Sequence, residues 1–424
     1  MTARGCGLRS PGGRGRFLAL CRHCLADVRW EQWWCPSCGR RSGYAPKGAA
    51  KQRPPESLLA EDPSWQAAYR LRLGKRRRRQ IAAGTALALV VAMMVVVLHP
   101  GPTDVTVPLT FDQSSYGAAF DPPPIIDVTI GQDHVVPVLL DTGSVGLHIF
   151  ANAISASSWP GVKVWSERET VQTLDGTLWS GTVASATLRF GSLRTRSAVP
   201  FQLIDAERCG EDGLGLSCVS DGQQDALKAV GADGILGIGL DGPAPGDPVI
   251  NPLLSLPGKF GRAWTVDMTN ASAGGSGALI LGPPPLHQPL VRLKLTSMGS
   301  SHGEPIWNDE PELCWVIGRY RLCGPTIFDS GSDFADIGSP HLYTHAIPEP
   351  GLPRLIGGNE AVSISLPGHS TAFWAFDATG PGVGAVAVAD ARWPFLDTGE
   401  GAFLSFEIQY NNAAGTIEIA NPGT

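Results

Sequence analysis

Two short stretches of this chain carry residues whose types and spacing could do chemistry. Val138–Phe150 reads VLLDTGSVGLHIF and Pro325–Ile337 reads PTIFDSGSDFADI. Each ends an apolar run on a carboxylate, Asp141 or Asp329, and turns at once through Thr142-Gly143-Ser144 or Ser330-Gly331-Ser332. A strand end holds a carboxylate rigidly. Gly lets the backbone turn tightly beside it, and the hydroxyls can bond its oxygens or the neighbouring loop. Two such loops facing each other would bring two carboxylates within a few ångströms, where both cannot ionise easily and they share a proton. One then acts as base toward a bound water, while the other donates to a substrate carbonyl. That chemistry calls for no cofactor.

The elements that must position these loops are strands. From about residue 118, short apolar segments are broken by Gly, Pro, Asn and Asp: PIIDVTIG, VPVLLDTG, TVASATLRFG, GALILG, VRLKLTS, AVSISLPG, FLSFEIQY and GTIEIAN. They alternate or run apolar at strand length. Gln223–Ala232 is one short helical candidate. A mainly β region of this length holds enough residues for two cores.

On these residues the chain resembles the two-lobed, pepsin-like aspartic proteases over about residues 118–422. PPIIDVTIGQDHVVPVLLDTGS is similar to the family's first strand, turn and catalytic loop. Ile235-Leu236-Gly237 matches the segment that passes behind that loop, and SGALILG and TIFDSGSDF match pieces of the second lobe. The resemblance implies a bilobal acid-protease β-barrel fold, with lobes 118–282 and 283–424 and Asp141 and Asp329 as the catalytic pair. The departures are specific. The family's flap presents a Tyr, where Leu174 falls here with Trp179 nearby. The family's Trp after the first loop is replaced by His148, and Asp333 adds negative charge after the second. A third Asp-Thr-Gly, at Asp397, sits where the second lobe's apolar-Gly segment is expected and reads as a turn.

Charge divides the chain. Residues 1–80 hold 18 Lys+Arg against 5 Asp+Glu, and residues 81–424 hold 15 against 34. Between the two parts, Ile81–Leu98 carries no charge over 18 residues. At about 1.5 Å per residue it could just cross a hydrocarbon core. It begins too far into the chain for a signal peptide. Arg76–Arg79 precede it and no Lys or Arg follows until Lys163, so residues 1–80 are expected in the cytoplasm and 99–424 outside. The topology signal accounts for the basic run, and no nucleic-acid role is expected.

The cysteines sort by the same topology. Cys21, Cys24, Cys35 and Cys38 form two Cys-x-x-Cys pairs with ten residues between them. In a reducing compartment they predict a structural zinc held in a ribbon-like module, residues 1–45. His23 is a bystander and Cys6 has no partner; Trp30, Trp33 and Trp34 cover the small core. Residues 46–80 read as a basic linker and 99–117 as a second linker. Outside, Cys209 with Cys218 and Cys314 with Cys323 are spaced for two local disulfides.

The expectation is an endopeptidase on a single-pass anchor, working on peptides or proteins outside the cytoplasmic membrane of a bacterium. Two alternatives stand beside it. One is a catalytically weak pepsin-like domain that binds an extracytoplasmic peptide or envelope protein. The other makes the ribbon, with a cytoplasmic protein partner, the functional end.

Overall fold

The computed structural model describes residues 18–20, 27–29, 104–111, 123–153, 159–172, 177–209, 227–243, 247–271, 275–348, 354–357, 359–378, 384–390 and 395–422. The chain forms two compact units, Met1–Gly101 and Pro102–Thr424.

In the first unit, β1 (Leu18–Leu20) pairs antiparallel with β2 (Asp27–Arg29), so a hairpin flanks the first cysteine pair in sequence. Cys21, Cys24, Cys35 and Cys38 lie outside the described residues, as does the uncharged segment Ile81–Leu98. Among the described residues, no helix is long and apolar enough to cross a membrane.

The second unit is mainly β. It opens with β3 (Val105–Leu109), followed by β4 (Ile125–Ile130), β5 (His134–Asp141), β6 (Val145–Phe150), β7 (Lys163–Gln172), β8 (Thr177–Ala186), β9 (Leu188–Phe190), β10 (Leu193–Arg194), β11 (Val199–Cys209) and β12 (Gly234–Ile238). The middle of the unit holds β13 (Ala263–Asp267), β14 (Gly277–Leu281), β15 (Val291–Lys294), β16 (Thr296–Ser301) and β17 (Glu304–Asn308). Then come β18 (Glu312–Ile317), β19 (Tyr320–Ile327), β20 (Ala335–Gly338), β21 (Arg354–Leu355), β22 (Glu360–Ser365), β23 (Trp374–Ala378), β24 (Val386–Ala389), β25 (Leu396–Asp397), β26 (Glu407–Asn411) and β27 (Thr416–Ala420). Three large sheets result, ordered β10-β9-β4-β5-β12-β6-β11-β8-β7, β15-β27-β26-β13-β14-β3 and β21-β24-β20-β25-β19-β18-β22-β23.

The first and last of these sheets repeat one arrangement. In the first, β12 lies between β5 and β6, parallel to β5 and antiparallel to β6. In the last, β25 lies between β19 and β20, parallel to β19 and antiparallel to β20. Flanked on both sides, the ends of β5 and β25 are wholly buried. Such strands read as apolar runs rather than alternation, which is why VLLD and FLD look alike in sequence.

Three expectations are corrected by the fold. Residues 99–117 are not all linker: Val105–Leu109 alternates, buries Val107 and Leu109, and pairs along its length with β14. FLSFEIQY is not all strand, because Gly401–Ser405 is a short helix with Ala402 and Phe403 buried. Of the helical candidate Gln223–Ala232, the described residues 227–229 form a helical turn. The boundary between residues 282 and 283 also falls inside the six-stranded sheet, which takes β13 and β14 from before it and β15, β26 and β27 from after. One buried apolar cluster accordingly runs from Val107 to Ile419.

Cys314 and Cys323 stand opposite each other on β18 and β19 and are disulfide-bonded. Cys209, at the end of β11, is also disulfide-bonded; its expected partner Cys218 lies outside the described residues.

Candidate active site

The two loops singled out in the sequence meet. β5 delivers Asp141 and β19, through Phe328, delivers Asp329; the two are only 8% and 7% exposed. Four hydrogen bonds tie the loops reciprocally. Thr142 Oγ1 donates to the Phe328 carbonyl at 2.6 Å and accepts from Ser330 N–H at 2.9 Å. Ser330 Oγ donates to the Leu140 carbonyl at 2.8 Å and accepts from Thr142 N–H at 3.2 Å. All four are buried, where an unmade bond costs most. The hydroxyl after each Asp therefore clamps the opposite loop instead of its own carboxylate.

The glycines that follow allow the close approach. A Cβ on Gly143 would fall 2.5 Å from Asp329 Cγ, and one on Gly331 would fall 2.8 Å from Asp141 Cγ. Each carboxylate thus packs on the backbone of the other loop. Each also accepts from its own loop, at 2.7 Å from Gly143 N–H to Asp141 and at 2.7 Å from Gly331 N–H to Asp329. The symmetry breaks at the next serine. Ser144 Oγ donates to Asp141 Oδ2, whereas Ser332 Oγ bonds the Phe334 carbonyl and Asp336 Oδ2, both at 3.1 Å.

Electrostatics separates the pair further. Burial first, and then the neighbouring charges of Asp141 and Asp397, push the Asp329 carboxyl well above the ordinary range; it lies within hydrogen-bond reach of Asp141. A carboxyl so placed holds a proton where an exposed one would not. Tyr410 supports the base of the loop, its hydroxyl donating to the Phe328 carbonyl at 3.1 Å.

Several neighbours were not legible as site residues in the sequence. His148, 3% exposed, bridges Gln202 Oε1 at 2.9 Å and the Val145 carbonyl at 3.1 Å, so it secures the strand after the loop. Asp309 Oδ2 caps Leu240 N–H at 2.5 Å and Asp241 N–H at 3.2 Å just beyond β12, and burial raises its carboxyl to about 7. Asp397, expected to be a turn residue, is fully buried instead, and so is Thr398 at 1%. A pocket opens beside the second loop, lined by Asp333, Trp374, Phe376, Asp377, Thr398 and Glu400 among others. The flap position Leu174 lies outside the described residues. Trp179 near it is 2% exposed and packs edge-on against Phe150, and its indole N–H meets no acceptor among the described residues.

Among the described residues no group of three or more His, Cys, Asp or Glu is arranged to hold a metal ion. Residues 123–249, which carry the first loop and β12 but not Asp329, match a family model described as "Protein of unknown function (DUF3443)". No curated protein matches the chain.

Proposed function

We propose that residues 118–422 are a two-lobed, pepsin-like aspartic endopeptidase that hydrolyses peptide bonds with the Asp141/Asp329 pair and an activated water. The observation that carries this reading is the reciprocal clamp of Thr142 and Ser330, which sets the two carboxyls face to face. Asp141 accepts from Gly143 N–H and Ser144 Oγ, while burial favours a proton on Asp329. Asp141 then takes a proton from the water as its oxygen attacks the peptide carbonyl carbon, and Asp329 gives its proton to the carbonyl oxygen. In the second step the proton on Asp141 passes to the departing nitrogen. Asp329 recovers its proton from a hydroxyl of the tetrahedral intermediate, so one water is added across one C–N bond. The test is turnover of a mixed peptide library by the full chain at acidic and neutral pH.

The flap sequence, with Leu174 where the family presents a Tyr, favours a second reading, a domain that binds extracytoplasmic peptides or envelope proteins and cleaves them poorly. Retention of library peptides without cleavage would select it over the first.

The same proposal sets the protease unit outside the membrane on Ile81–Leu98, with residues 1–80 inside. A reporter enzyme fused after Thr424 should be active only outside the cytoplasm; activity inside would overturn this topology and with it the oxidising compartment of the disulfides. The ribbon is proposed to bind zinc through Cys21, Cys24, Cys35 and Cys38, a reading supported by their spacing and by the hairpin flanking the first pair. Metal analysis of the purified chain should give about one zinc with thiolate ligands at about 2.3 Å. Substituting Cys35 and Cys38 together by Ser should abolish it, and an unchanged zinc content would sink this assignment.

A further inference from the structure

We propose that Asp397 is a positioning residue for the pair, a third buried carboxyl that meets Asp329 from behind its loop and sets the pH at which the shared proton is lost. This rests on reading Asp141 and Asp329 as a proton-sharing pair.

The repeat between the lobes makes the argument. In the first lobe, Ile235 stands opposite Leu139, two residues before Asp141, and opposite His148, seven residues after it. In the second, Asp397 stands opposite Ile327, two residues before Asp329. The antiparallel register that pairs Ile337 with Leu396 then carries Asp397 to Asp336, seven residues after Asp329. Where one lobe has an isoleucine facing a histidine, the other has two carboxyls.

Asp397 has no exposed surface. Its Oδ1 accepts from Gly399 N–H at 2.8 Å, and its Oδ2 meets no N–H or O–H donor among the described residues. The group within hydrogen-bond reach is the Asp329 carboxyl. A bond between two carboxyls requires a proton on one of them. Facing groups supply no counter-charge: Asp336 from β20, Asp329 from the end of β19 and Asp141 from the end of β5 are the ones that act on Asp397, and all are acids. Asp333 in turn acts on Asp336, which Ser332 Oγ bonds. Glu400 follows three residues later, its N–H on the Ser332 carbonyl, and Tyr410 from β26 is held neutral by burial. Burial and the Asp336 charge hold the Asp397 carboxyl well above its ordinary range, so the cluster keeps protons that exposed acids would lose.

Asp397→Asn removes one ionisable group and keeps its shape. Asp329 then gives up its proton to less repulsion, and the basic limb of the kcat/KM profile moves toward acid by about one pH unit. Asp336→Asn moves the limb the same way by less. A merely structural role for Asp397 would instead lower kcat/KM alike at every pH and leave the limb in place. A second measurement needs no turnover. A carboxyl raised by folding stabilises the fold below its unfolded value and loses that contribution as pH rises through its folded value. The melting temperature of the full chain should therefore fall with rising pH, and fall less steeply in Asp397→Asn. A basic limb that stays in place in both variants overturns the proposal. If wild type hydrolyses no peptide, the protease reading fails on its own account, and melting curves of wild type and Asp397→Asn that run parallel in pH overturn this inference separately.

Discussion

Asp141→Asn and Asp329→Asn each lower peptide hydrolysis on the order of 10³-fold or more while the fold survives. Asn keeps the size of Asp, and its carbonyl oxygen still accepts from Gly143 or Gly331 N–H. What is lost differs between the two. Without the Asp141 carboxylate no base takes the proton of water; without the Asp329 carboxyl no acid protonates the substrate oxygen. Stability moves the other way for one of them. Asp329 is pushed up by burial and by the charges of Asp141 and Asp397, so at neutral pH its replacement by a neutral amide removes the cost of keeping a proton on a buried acid and raises the melting temperature. Steady-state kinetics on a cleaved library peptide, with a thermal melt of each variant, reads both effects. Wild-type turnover in Asp141→Asn would end the protease reading.

Gly143→Ala lowers kcat/KM on the order of 100-fold with little change in melting temperature. The added methyl would sit 2.5 Å from Asp329 Cγ, so the carboxyl must turn away or the loops must part. Turning the carboxyl aside leaves the buried Thr142–Ser330 clamp and the core beside it in place, so the main effect is on the relative placement of the two carboxyls. Gly331→Ala, with its methyl 2.8 Å from Asp141 Cγ, repeats the experiment from the other side. Alanine variants with unimpaired kcat/KM would show that the close approach of the carboxyls does not govern the chemistry.

What the sequence makes legible is local. Asp141 and Asp329 stand out because each loop is continuous in sequence, and Ile235-Leu236-Gly237 stands out for its composition. The strands β4, β5, β8, β14 and β27 follow from apolar runs bounded by turn residues. The bonds that turn two loops into one site are not local: Thr142 Oγ1 and the Phe328 carbonyl are 186 residues apart. Asp397 and Asp336 are hidden in the sequence for the same reason. Alone, Asp-Thr-Gly after a two-residue strand reads as a turn, and only its register with β19 and β20 shows it buried behind Asp329. Val105–Leu109 looked like linker because its partner, β14, lies more than 160 positions along the chain. Cys314 and Cys323 meet as their spacing suggests, whereas the Cys-x-x-Cys and charge patterns speak to segments that the described residues scarcely reach.

The six-stranded sheet has a consequence for when the site can exist. It joins β3, the first strand of its unit, to β27, the last, and Tyr410 on β26 props the Phe328 carbonyl at the foot of the second loop. A ribosome delivers these pieces in order, so a nascent chain that already carries both Asp141 and Asp329 still lacks the strands that hold them together. Pairings this distant also form slowly. Newly made chains would therefore pass through a period with both motifs present and no assembled pair, and on the protease reading hydrolysis would wait for β27.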